Sequence, residues 1–498
     1  MNTMSSVTVL ILNWKRPENL KNRILPSLVS DPCVSQILIA HGDPMTVFGV
    51  GRPLLEGEHV SDGKITHIGD YAANGVYRSF RRWLLVRTLA DSGVLTDGYL
   101  HVQDDDLVFQ RGHLEAMREA FEAGHGTLIC GTVGRILKNH TYDPTSVIGH
   151  CDLVVGQSIF STVRILADAV RGMDGIPFGV LREDDLVMSC LTNGAGDKTP
   201  HYALRYPCHL LPSPDALSDR PGHREARGRA VRFMLSRETE RPYVSVGAVF
   251  KQEAHALREW IEHYLWLGVD RIYLIDDGST DDYVSQMEPY MDMVVYQRHT
   301  VASERFGRQG KIYDACLRGL PSEWLLIVDL DEFLYSPTRQ DLKTFLRSYA
   351  SYNQILIPWR VFGSGGLIEQ PASLVQGFRR RASKGDTLRI NRTPYKAVVR
   401  VKAVVRYSVH AHSCCGTTFE LPFSSDWVLN HYMIQSLRYY LDVKCTRGSA
   451  NRFELCPSRA AAVEQAKTWD RFRFIDALAT VEDIGLAQLR FPIPKSVA

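Results

Sequence analysis

The sequence predicts an α/β protein made of two consecutive, mostly parallel sheets with helices on both faces, and three observations lead there. Short apolar runs alternate with helical patterns along both halves of the 498 residues. Each half contains one apolar run that closes on acidic residues, Asp104-Asp105-Asp106 in the first and Asp329-Leu330-Asp331 in the second. Between the halves, residues 213–242 are rich in Pro, Arg, Asp and Gly, and a fresh apolar strand opens at Tyr243. This sets the boundary near residue 240, with domains at 1–238 and 239–498.

In the first half, strands are expected at about 7–13, 35–41, 65–69 and 98–103, separated by helical patterns at 18–29 and 75–91. The run Val7-Thr8-Val9-Leu10-Ile11-Leu12 reads as the opening strand, being too short for a signal-peptide core and lacking a basic leader. In the second half the strands fall at about 243–250, 271–276, 293–297 and 324–329, with helices near 253–267, 281–291 and 309–319. The helix at 253–267 carries Leu257, Trp260, Ile261, Tyr264 and Leu265 on one stripe, with Glu259, Glu262 and His263 outside it. Trp260 and Tyr264 are expected in the core.

Composition narrows the class. Hydrophobic residues make up 45% and charged residues 23%, with a formal net charge of +2, so no large field points to nucleic acid as a partner. No stretch approaches the roughly 20 apolar residues of a membrane span. The ten cysteines show no Cys-x-x-Cys pair, which suggests reduced thiols, no zinc site and a cytoplasmic setting. Arg78, Arg81 and Arg82, and Arg379-Arg380-Arg381, read as solvated clusters able to meet phosphates, an anionic polymer or a membrane surface, so peripheral membrane association stays open.

The acidic clusters carry the chemistry. Carboxylates packed this closely repel unless protonated or bridged by a cation, so a divalent metal is the simplest account. At the carboxyl edge of an α/β sheet, a metal can hold a diphosphate. A solvated turn or a helix start is the bland alternative for one Asp-x-Asp, but its recurrence after a matching upstream pattern favours the metal.

In the second half, Lys251-Gln252-Glu253, the segment 257–270, Asp276-Asp277-Gly278-Ser279-Thr280-Asp281-Asp282 and Val328-Asp329-Leu330-Asp331-Glu332-Phe333-Leu334 resemble the family 92 glycosyltransferases, relatives of family 2. The likeness runs on through residues 359–366, His410-Ala411-His412, Asn430-His431-Tyr432 and Lys444-Cys445-Thr446-Arg447-Gly448. It implies a GT-A fold, a Rossmann-like nucleotide-diphospho-sugar transferase architecture, and inverting transfer from a nucleoside-diphosphate sugar. By the resemblance, Lys251, Glu253, Asp276, Asp277 and Asp329 would lie at the nucleotide. Asp331 would ligate Mn²⁺ or Mg²⁺, and His410, His412 and His431 are candidates for a further ligand. Two apart, His410 and His412 would face the same way on a strand. The general base should be an Asp or Glu near the metal, with Glu369, Glu420 and Asp426 as candidates. The family usually has Asn where this chain has Gln252, which bears on local nucleotide contacts.

In the first half, Asn13-Trp14-Lys15-Arg16-Pro17, an Arg-rich helix, the triple Asp and Glu183-Asp184-Asp185 resemble the exostosin-like family 64 glycosyltransferases more loosely. This would put Asn13, Arg16 and Asp104 at the donor, Asp106 at the metal and Asp184 or Asp185 near the acceptor, while Arg16 before Pro17 can equally cap its turn and the acids Glu183, Asp184 and Asp185 can equally serve as favourable charges at a helix start. His223 is either a late ligand or a linker residue. The leading expectation is two tandem GT-A domains forming a bifunctional transferase that uses UDP-sugars on a glycan, polysaccharide or glycoprotein acceptor. Two alternatives compete: a single activity with a sugar-binding or docking first half, and a nucleotidyltransferase. The latter would normally show a Gly-rich basic loop after the first strand.

Overall fold

The computed structural model describes residues 6–72, 74–124, 127–137, 141–193, 200–212, 221–237, 240–299, 308–446 and 466–490. The chain is mixed α/β and divides into two compact units, Met1–Glu240 and Arg241–Ala498. Residues 213–220, 238 and 239 of the linker segment, and Arg447 and Gly448, lie outside the described residues.

The first unit is built on strands Ile65–Gly69, Val34–His41, Val7–Asn13 and Tyr99–Gln103, parallel and adjacent in that spatial order. The antiparallel strand Ser158–Thr162 follows beside Tyr99–Gln103. In the second unit Val294–Arg298, Arg271–Asp276, Val244–Phe250 and Trp324–Ile327 repeat this arrangement, followed by antiparallel Tyr395–Arg400. In each unit, then, the first strand in sequence lies centrally, and the chain winds outward one way before crossing to the other side. That crossing is where the carboxyl ends of neighbouring strands open a crevice. In each unit the acidic residues leave the strand beside this crossing. Val244–Phe250 is buried along its whole length, as a strand covered on both faces must be.

Three local details differ from the sequence expectation. The helical stretch at 18–29 contains a π-turn, Leu20–Ile24, just ahead of Pro26, whose missing N–H and ring prevent a regular α-helical ladder there. The stretch at 75–91 breaks into Asn74–Tyr77, Arg78–Phe80 and Arg81–Asp91 around Arg78, whose φ is +50°. In helix Ala254–Trp266 it is His263 that is buried, with Nε2 donating to Leu334 O at 2.7 Å, while Leu265 is only half-buried.

Arg81 and Arg82 are also buried and paired with acids, correcting the solvated reading of that cluster. No described helix is long and apolar enough to cross a membrane. Among the described cysteines, Cys33, Cys130, Cys151, Cys190, Cys208, Cys414 and Cys415 are free thiols.

Candidate active site

The acidic turn of the second unit is held from three sides. From helix Ala254–Trp266, Trp260 Nε1 donates to Asp329 O at 3.1 Å and Tyr264 Oη donates to Glu332 O at 3.0 Å. Together with the His263 bond to Leu334 O, these fix the backbone of the turn, so the apolar stripe also presents polar tips. Within the turn, Glu332 Oε2 accepts from Asp329 N at 2.8 Å. From the antiparallel strand Tyr395–Arg400, the buried Lys396 donates to Asp329 Oδ2 at 2.9 Å and approaches Glu332 Oε2 at 3.5 Å. Gln309 Nε2 donates to Asp329 Oδ1 at 3.0 Å.

These partners set the charges. Burial pushes the Asp329 carboxyl up, but Lys396 outweighs it and brings the carboxyl down to about 2. Burial dominates for Glu332, raising it well above the usual carboxylate range. The turn therefore sets two carboxyls held below their usual range and one held above it around a buried ammonium.

Asp331 has two distinct oxygens. Oδ2 accepts from Lys444 Nζ at 2.5 Å, whereas the buried Oδ1 has no hydrogen-bond partner and lies 3.5 Å from His431 Nε2. The pairing of strand Glu332–Tyr335 with Val428–His431, Glu332 opposite His431, brings the imidazole there. Burial lowers the His431 imidazole to about 4, so at neutral pH the ring keeps a lone pair. Among the described residues no group of three His, Cys, Asp or Glu side chains is arranged to hold a metal. The orphaned Asp331 Oδ1 and the neutral His431 nonetheless suit a hard or borderline cation that takes its remaining ligands from diphosphate and water.

The other predicted residues fall into separate groups. Asp276 is fully buried and receives bonds from Ser279 N at 2.6 Å, Tyr296 Oη at 3.0 Å and Arg298 Nη1 at 2.7 Å, so its carboxylate shapes the loop from inside. Asp277 pairs with Arg308. Glu253 is buried at the start of helix Ala254–Trp266, and Lys251 lines a cleft of about 380 Å³ with Gln252, Gly278, Thr280, Asp442, Val443 and Thr446.

Gln252 adopts φ +53°, a left-handed conformation that Asn tolerates better than Gln. Its side chain compensates: Oε1 accepts from Thr280 N at 2.6 Å and Nε2 donates to Thr280 Oγ1 at 3.0 Å.

His410 and His412 sit in a bend rather than a strand, with His410 Nδ1 3.3 Å from Tyr395 O and His412 Nδ1 accepting from Ser408 N at 3.2 Å. Among the described residues no hydrogen bond or ion pair joins either to Asp331, and the expectation that they share a strand face fails. Glu369, Glu420 and Asp426 are all exposed, and Glu369 pairs with Arg438 at 2.7 Å. Among the described residues, no hydrogen bond or ion pair joins any of the three to the 329–332 turn.

In the first unit arginines engage the acids. Arg16 Nη1 lies 2.6 Å from Asp105 Oδ1 and 3.3 Å from Asp106 Oδ2. Arg82 bridges Asp104 at 2.6 Å and Asp184 at 2.7 Å, and Trp83 Nε1 also donates to Asp184 at 3.1 Å. Asp185 takes two bonds from Arg227, at 2.9 and 3.1 Å, and one each from Gly156 N and Leu186 N. With its oxygens so occupied, Asp185 works as a cross-link. Asn13 is buried and donates to His41 Nδ1 at 2.9 Å and Thr46 O at 3.0 Å, again inside the fold. His223 opens helix His223–Ser236 and lies 3.8 Å from Glu183.

Residues 242–463 match the model of Glycosyltransferase family 92. That region is a glycosyltransferase family 92 domain. Similar proteins include a family 92 protein of Ricinus communis, 26% identical over 208 residues, covering 39% of this chain and 36% of that protein. One from Oryza sativa subsp. japonica is 25% identical over 207 residues, covering 40% of this chain and 34% of that protein. The chain thus spans about a third of the length of these two relatives. Among solved structures, S. aureus TarS 1-349 in complex with UDP-GlcNAc is 14% identical with a TM-score of 0.26, covering 38% of this chain and 59% of that one. A likeness that weak bears no argument.

Proposed function

We propose that the unit Arg241–Ala498 has a GT-A fold and transfers a sugar from a nucleoside-diphosphate donor, of the UDP-sugar kind, to a hydroxyl of a glycan, polysaccharide or glycoprotein, with inversion. The observation that carries this reading is the pair Asp331 and His431, 3.5 Å apart beside the strand crossing of a family 92 domain. Asp331 and His431 would hold Mn²⁺ or Mg²⁺. Such a cation supplies charge stabilisation to the departing diphosphate. Lys251, Gln252, Gly278 and Thr280 offer the cleft for the nucleotide. Asp329, tied to Lys396 and Gln309, keeps the turn in place for the donor, and Glu369, Glu420 and Asp426 are the acids open to solvent for the base.

The test is Asp331→Asn, assayed for donor hydrolysis and transfer across a panel of UDP- and GDP-sugars with Mn²⁺. Loss of at least about a hundredfold in turnover is expected, with the variant still folding cooperatively in thermal unfolding. Undiminished turnover overturns the reading.

A second reading, that the first unit also transfers a sugar and the protein is bifunctional, draws on one observation. Asp104 and Asp106 are 33% and 20% exposed at the strand position that corresponds to Asp329 and Asp331. A distinct product lost in Asp106→Asn would establish it.

A further inference from the structure

We propose that Lys444 is the resident counter-ion of Asp331 and passes to the donor's diphosphate when the site loads. The proposal rests on reading Arg241–Ala498 as a nucleotide-sugar site. Lys444 Nζ lies 2.5 Å from Asp331 Oδ2 and also donates to Met433 O. The lysine ends a π-turn, Tyr440–Lys444, closed by the bond from Cys445 N to Tyr440 O. Such single π-turns recur at functional positions because the extra residue re-aims a side chain without ending the helix. Here the same turn does two things. Asp442, Val443 and Thr446 line the cleft together with Lys251, Gln252, Gly278 and Thr280, while Lys444 reaches the acid.

The two oxygens of Asp331 make the exchange possible. Oδ2 is taken by the ammonium and Oδ1 has no partner, so a divalent cation can approach Oδ1 while Lys444 is still in place. Two cations on one carboxylate repel each other. A diphosphate in the adjoining cleft offers the ammonium a richer set of acceptors, and the flexible four-carbon stem of lysine with its three donors suits the transfer. Before loading, the ammonium balances the carboxylate. Afterwards the divalent cation balances the carboxylate and the ammonium balances phosphate oxygens. No covalent bond changes.

The assignment makes Lys444 a competitor of the metal and an ally of the nucleotide, so its removal should move the two affinities in opposite directions. Calorimetry of the full chain with Mn²⁺ alone, and with UDP at saturating Mn²⁺, reads both. In Lys444→Gln, Mn²⁺ binding should tighten and UDP binding weaken, each by about tenfold. Lys444→Met, which keeps an apolar stem, should behave the same way, and Lys444→Arg should keep UDP affinity within about threefold of the parent.

If Lys444 only pins the turn, both affinities fall together, or the neutral variants fail to fold by thermal unfolding, and either result overturns the proposal. Unchanged Mn²⁺ or UDP affinity in the neutral variants does so too. Failure of the unaltered protein to bind UDP, with or without Mn²⁺, overturns the nucleotide-sugar reading itself. UDP binding that is indifferent to Lys444 overturns only the counter-ion assignment.

Discussion

The two units place acids after the same strand of the same sheet arrangement, yet balance them with different cations. In the first unit, Arg16, Arg82 and Arg227 grip Asp104, Asp105, Asp106, Asp184 and Asp185. In the second, Lys396, Lys444 and His431 surround Asp329 and Asp331. A guanidinium is always charged and fits carboxylates as a planar fork, so it makes a lasting cross-link. An ammonium on a flexible stem, or a neutral imidazole, can be displaced or can bind a cation. The lesson is that an acidic cluster after a strand does not define a site. The chemistry of its counter-ions does.

The largest effect that would sharpen this contrast is on stability. Arg82→Met leaves Asp104 and Asp184 without their cation in a largely buried setting, and should cost about 3–5 kcal/mol in urea unfolding of the first unit. A cost below about 1 kcal/mol would show that these arginines are dispensable and break the comparison.

Acid comes next. Burial lowers His41, His113 and His201 to about 4 in the first unit, and His263 and His412 to about 3 in the second. Each stays neutral when folded and takes up a proton when unfolded. Its contribution is therefore intact above the unfolded value near 6.5 and is lost as pH falls through the window down to 4 or 3. Each uncompensated histidine adds a slope of about 1.4 kcal/mol per pH unit. Glu183, raised by burial to about 7, and Asp104, raised by burial to about 6, act in the opposite sense in the first unit. Thermal unfolding at pH 7.5 and pH 5 should show both units losing stability in acid. A first unit that gains stability at pH 5 would mean that its two acids outweigh its histidines.

The smallest effect is that of Asp106→Asn. Its side chain is partly exposed and its only bond to Arg16 is long, so stability should hold within about 0.5 kcal/mol and transfer by the second unit should persist. A missing second product in that variant would turn the contrast between the units into a division of labour.

Much of the parallel half of each sheet was legible in the sequence, because buried parallel strands are continuous apolar runs and the helices between them are striped. The observed strands Val7–Asn13, Ile65–Gly69 and Arg271–Asp276 fall where the runs do. The antiparallel half was not. Strands such as Ser158–Thr162 and Tyr395–Arg400 mix polar and apolar residues, and their register depends on distant partners.

Of the candidate site, the carboxylates and the three late histidines could be named from the sequence, but the network of partners around them could not. Lys396 was overlooked although a lysine within Tyr395-Lys396-Ala397-Val398-Val399 is itself a signal, since a cation in a buried strand needs an acid opposite. Trp260 and Tyr264 were read correctly as core, but their polar tips, which hold the acidic turn, have no signature in periodicity. Nor could spacing reveal that Asp185 is saturated by Arg227, which lies 42 residues away.

The lacing of Gln252 to the neighbouring loop has a consequence for traffic through the cleft. Gln252 bonds to Ser279 and Thr280, and Ala254 N to Asp281, so two loops form one stiff lip. Asp442 and Val443, which line the same cleft, belong to the π-turn Tyr440–Lys444, whose Lys444 is bonded to Asp331. If the cleft takes a nucleotide, the wall expected to give way is the one without such lacing, where the Lys444–Asp331 bond is what holds the turn.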